Sequence, residues 1–76
     1  MPRYFFHIHD GTAVIDPDGV ELPGADEARE KAVEAAAEAL HHLGPRFWES
    51  GKWLMRATDE NGKAICLITF SGELAS

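Results

Sequence analysis

The chain has 76 residues, with 13 acidic against 7 basic side chains and a formal net charge of −6. That length allows one small domain, residues 1–76, and the acidic balance with scattered basic residues argues against gripping nucleic acid through its phosphates. A single cysteine, Cys66, excludes an internal disulfide and suits a reduced, cytoplasmic protein; no stretch is long and apolar enough to span a membrane, and MPRYFFHIHDG lacks the form of a signal peptide.

Arg3 to His9, RYFFHIH, is rich in aromatic and β-favouring residues and reads as a strand. Asp10-Gly11 is a two-residue hairpin signal, returning the chain through Thr12 to Ile15. That turn pairs Ile8 with Ala13 and Phe6 with Ile15 on one face. It pairs His9 with Thr12 and His7 with Val14 on the other. Asp16-Pro17-Asp18-Gly19 makes a second turn, and Val20-Glu21-Leu22 is a short extended piece before Pro23-Gly24.

Ala25 to Leu43 is a helix. Ala28, Ala32, Ala35, Ala36, Ala39, Leu40 and Leu43 recur at the spacing of one buried stripe, opposite Glu27, Glu30, Lys31, Glu34, Glu38 and His41. Asp26 serves as its N-cap or first-turn acid, and Gly44-Pro45 stops it. Pro45 starts one further turn, whose Phe47 and Trp48 are placed to plug the end of the core.

Lys52 to Thr58 and Lys63 to Phe70 are strands joined by an Asn61-Gly62 hairpin. Its register sets Trp53, Met55 and Ala57 with Phe70, Ile68 and Cys66. Leu54, Arg56 and Thr58 share the other face with Thr69, Leu67 and Ile65. Gly72 to Ser76 reads as a fraying tail.

The predicted fold is α+β: ββαββ, an antiparallel sheet with one long helix packed on one face. Phe6, Ile8, Ile15, Trp53, Met55, Cys66, Ile68 and Phe70 are expected beneath the alanine stripe. The opposite face is expected to carry Phe5, Val14, Leu54, Ile65 and Leu67, with His7, Arg56 and Thr69 among them.

PRYFFHIHDG, then DPDGVELP, the alanine-rich helix, and MRATDENGKA with a closing ITF resemble a family of short bacterial proteins. These start PRYFFH or PRYYFH before a DG turn and share a V-T-D-E-x-G hairpin. The resemblance covers nearly the whole chain and implies a small α+β domain of unknown function, with no catalytic residue to carry over. DGVELPGADEAREKAVEAAAEAL is also similar to the strand, LPG and helix of HicB-type antitoxins. This chain lacks the three strands before the helix, and the DNA-binding segment, that those proteins have.

Little in the sequence carries chemistry. His7-Ile8-His9 places two imidazoles on one side of a strand, but zinc needs three or four donors and no third is evident. His41 and His42 diverge by about 100° on a helix. Asp16-Pro17-Asp18-Gly19 starts like a calcium loop, yet Val20, Leu22 and Gly24 stand where ligands belong, so it reads as a turn. Cys66 lies in an apolar strand, where a thiol is inert. Ser50 and Ser71 have no base at a motif spacing. No catalytic, cofactor or metal residue is assigned.

The function expected from the sequence is therefore a small, non-enzymatic, cytoplasmic interaction or regulatory module. It self-associates as a homodimer, through the outer sheet face or through strand edges, and takes another protein as a possible partner. The alternatives are an antitoxin-like protein binding a small basic toxin, and a metal-binding protein using His7 and His9.

Overall fold

A computed structural model describes residues 1–75. Its elements run β1 (Arg3–His9), β2 (Ala13–Val14), β3 (Val20–Glu21), α1 (Ala25–Leu43), a 3₁₀ turn (Gly44–Glu49), β4 (Lys52–Thr58) and β5 (Ala64–Ser71). The sheet is antiparallel, in the order β2-β1-β4-β5, with β3 pairing β1 as a fifth strand. The α+β prediction holds, with strands on both sides of one helix, and Val20–Glu21 is promoted from an extended piece to a strand. No helix is long and apolar enough to cross a membrane among the described residues.

The alanine stripe performs as its spacing predicts. Ala28, Ala32 and Ala36 are fully buried. Ala32 and Ala36 form the core with Trp53, Met55 and Ala57, and Ala35, Ala39 and Leu43 pack at its margin. Small side chains on the helix let the bulk of Trp53 and Met55 fill the space between layers. Phe6, Ile8, Cys66, Ile68 and Phe70 pack against that cluster as expected. Cys66 is half-buried rather than fully enclosed. Tyr4, which the sequence does not place in the core, is also buried.

Gly24, not Asp26, is the N-cap, and Asp26 lies in the first turn beside Glu27. The helix ends on Gly44 at φ +56, whose N–H bonds the Leu40 carbonyl. In the following turn only Phe47 plugs the core; Trp48 stands on it edge-to-face at 5.3 Å and is about half exposed. Gly72, placed in a fraying tail by the sequence, is tied by its N–H to the Gly51 carbonyl and lies under both rings. The last residue of that expected tail, Ser76, lies outside the described residues.

The two hairpins depart from prediction in instructive ways. In the first, His9 pairs with Ala13 and Ile8 with Val14. The loop is Asp10-Gly11-Thr12, one residue longer than expected, and one residue of slip exchanges the faces. Ile15 therefore leaves the core and is 66% exposed. Val14 turns to the helix side, but α1 lies over β4 and β5, so Val14 also stays exposed.

In the second hairpin the expected pairs from Trp53–Phe70 to Ala57–Cys66 all form, although the turn is different and Thr58 meets Ala64 instead of Ile65. The Asp59 carbonyl accepts the Gly62 N–H and the Asp59 N–H bonds Lys63, so three residues make the loop. A bulge between Ala57 and Thr58 on the pairing path then restores the register. The bulge turns Ile65 inward, against the core, and not to the outer face that an unbroken register predicts. Thr58 is likewise buried, not exposed.

Candidate functional site

Among the described residues, no second layer covers the face of the sheet turned from α1. Strand alternation places Phe5, His7 and His9 from β1 there, with Lys52, Leu54 and Arg56 from β4 and Leu67 and Thr69 from β5. His7 lies directly across from Arg56, and Arg56 across from Leu67. Phe5 and His7 stack nearly parallel, 6.3 Å between ring centres. Leu67 is 61% exposed.

Two adjoining grooves mark this face. One, of about 370 Å³, is lined by His9, Gly11, Ser50, Lys52, Trp53, Leu54 and Thr69. The other, of about 230 Å³, is lined by His7, Ile8, His9, Ala13, Ile15, Leu54 and Arg56. His9 and Leu54 form the ridge they share. Their walls are mainly apolar.

The charge on this face is opposite to that of the chain. Lys52 and Arg56 have no carboxylate partner among the described residues. At the far end of the face, Glu21 is engaged by the Arg3 guanidinium at 2.8 Å and Glu60 accepts the Arg3 N–H. Five exposed acids, Asp26, Glu27, Glu30, Glu34 and Glu38, lie on α1, across the sheet. A chain of net charge −6 thus presents one basic, apolar face.

The Asp16 carboxylate closes one side of it. Oδ2 accepts the Phe6 N–H at 3.2 Å, while Oδ1 accepts those of Asp18 and Gly19, each at 3.1 Å. Burial pushes this carboxyl up, but the N–H groups of Gly19, Phe6 and Asp18, with His7 nearby, outweigh that and hold it below the usual carboxylate range. The Asp16 N–H in turn donates to His7 Nδ1 at 3.1 Å. These bonds make Asp16-Pro17-Asp18-Gly19 a turn, with the Asp16 oxygens spent on backbone.

His7 and His9 share this face, as the H-x-H spacing requires. His7 uses Nδ1 to accept the Asp16 N–H. Among the described residues no three His, Cys, Asp or Glu side chains stand together as a metal site. His41 and His42 meet edge-on at the helix end, 6.0 Å between rings. The Ser50 hydroxyl is held by Lys52 backbone, donating to its carbonyl at 3.0 Å.

The Lys-x-Leu-x-Arg and His-x-His alternations of β4 and β1 carry a legible signal for this basic face. The Asp16 knot has none beyond the turn itself, because its Phe6 bond is long-range.

The sequence model of a family described as a domain of unknown function, DUF6894, matches residues 3–71. No curated protein and no solved structure matches the chain.

Proposed function

The chain belongs to the DUF6894 family, a domain of unknown function, and from its geometry we propose a non-enzymatic interaction module that self-associates. The observation that carries this reading is the bare outer face of the sheet. An antiparallel sheet exposed to water normally turns a polar face outward. Here Phe5, Leu54, Leu67 and Ile15 surround Arg56, and contiguous apolar surface of this kind marks interaction sites. Unpaired Lys52 and Arg56 on that surface suit an acidic, partly apolar segment of a partner protein.

The available chemistry supports a binding role over catalysis. Cys66 points into the core, Ser50 is held by backbone, and the Asp16 carboxylate caps backbone N–H groups. None of these three groups is free to act as a nucleophile beside a base, the arrangement that covalent catalysis requires. A cytoplasmic location suits the lone thiol.

Light scattering across a concentration series tests self-association, with two chains per particle expected. A mass of one chain throughout would remove it. Partner binding is tested with Lys52→Glu and Arg56→Glu in one chain: a protein captured by the wild type should be lost by this variant while circular dichroism stays unchanged.

A further inference from the structure

The two edges of the sheet are built differently. The β2–β3 edge is broken into strands of two residues each, with Asp16 and Pro17 between them. There the Asp16 carboxylate, not another strand, takes the Phe6 N–H. The β5 edge is eight residues long, AICLITFS, with neither a charge nor a proline. Its only strand neighbour among the described residues is β4. Monomeric proteins blunt such an edge with charge, proline, a bulge or a covering segment; β5 has one bulge, at Ile65 near its start, and the run Cys66 to Phe70 beyond it pairs regularly with β4 and carries neither charge nor proline.

The groups that β5 leaves open follow from its ladder. The Gly72 N–H bonds the Gly51 carbonyl at 2.9 Å, so these two form a bonded pair. Bonded and non-bonded pairs alternate along an antiparallel ladder. The register runs unbroken from Lys52–Ser71 to Ala57–Cys66. Trp53–Phe70, Met55–Ile68 and Ala57–Cys66 are therefore the bonded pairs. The N–H and C=O of Leu67 and Thr69 then point away from β4, out of the edge.

We infer that β5 pairs with β5 of a second copy, antiparallel about a two-fold axis, joining two sheets into one. This rests on the self-association proposed above and names its surface. With the axis at Ile68, Leu67 of each copy and Thr69 of the other exchange both backbone hydrogen bonds. The same axis carries Lys63, just before the strand, towards Glu73, just after it, of the other copy. Exposed Leu67 gains a neighbour across the new ladder. Stacking the outer faces instead would set Lys52 and Arg56 of both copies together with no carboxylate between them. Edge pairing avoids that and leaves both basic faces open, side by side.

Amide hydrogen exchange of the wild-type chain, read by NMR, tests the pairing beside a mass measurement. At a concentration where light scattering gives two chains, the Leu67 and Thr69 amides should exchange at least ~100-fold slower than unstructured amides, and dilution should release them. Fast exchange at both in a two-chain particle would overturn the edge pairing and leave self-association standing. A single-chain mass at every concentration would overturn both. Thr69→Pro removes an N–H that β4 does not use, so it should give a folded monomer, while Arg56→Glu should leave the dimer intact. The reverse pattern would move the interface to the outer face.

Discussion

The Asp16 carboxylate sits beside β1 where a neighbouring strand would bond, with Oδ2 3.2 Å from the Phe6 N–H. It thereby satisfies the backbone between β2 and β3 and ends the ladder on that side. The carboxyl is held below its ordinary range in the folded chain. A depressed folded value contributes stability above the unfolded value, near 3.9, and that stability is lost as pH falls through the folded value. Melting temperature should therefore drop below about pH 4. Asp16→Ala should remove that part of the acid dependence and cost about 1 kcal/mol at neutral pH. Parallel pH profiles for variant and wild type would refute the role.

Gly19 is fixed by space as well as by backbone angle. It has φ +71, and a Cβ there would stand 2.8 Å from both the Tyr4 carbonyl oxygen and Phe5 Cε2. The carbonyl belongs to β1 and cannot yield. Gly19→Ala should cost more than ~1 kcal/mol in urea unfolding. Gly11→Ala is the comparison: φ is +101 but the space is open, so only the backbone cost applies. Equal midpoints for the two variants would contradict the close approach.

Gly62 closes the second hairpin at φ +81 with open space around it. Gly62→Val should destabilise by about 1 kcal/mol or more, because a β-branched residue resists that conformation. Gly62→Asn should cost less, since Asn tolerates the left-handed region. Calorimetric midpoints rank the three; an unchanged midpoint for valine would refute the turn.

Ala36 is 1% exposed in the layer between helix and sheet. Ala36→Leu should overpack that layer and cost roughly 1–3 kcal/mol. Ala37→Leu, one position round on the exposed side, should stay within about 0.5 kcal/mol of wild type. A tolerated leucine at Ala36 would mean that the helix does not lie close on the sheet.

The helix, the inward residues of β4 and β5, and the bareness of the outer face were legible because each is a periodicity. Alanines at helical spacing and alternation in strands are local properties of the chain. The first hairpin was not legible in register, because Asp10-Gly11 fits a two-residue loop as well as the start of a three-residue one. The second loop is equally longer than read, yet its bulge cancels the slip, so Trp53 still meets Phe70. Ile65 is the residue that absorbs the difference. Bulge position and the Asp16–Phe6 bond depend on packing between distant segments, which no short window of sequence contains. The grooves were not foreseen for the same reason, since they form only where β1, β2 and β4 lie side by side.

The pairing of β1 with β4 joins Phe5 to Thr58, across the whole helix. β4 and β5, by contrast, are a local hairpin over which α1 lies. Closing the longer loop carries the larger entropy cost and delivers its contacts late. Assembly should therefore begin from α1 with the second hairpin and finish when β1 docks. Until β1 arrives, β4 has an open side and β5 another, so the half-formed chain carries two unpaired edges and is most prone to wrong association at that stage.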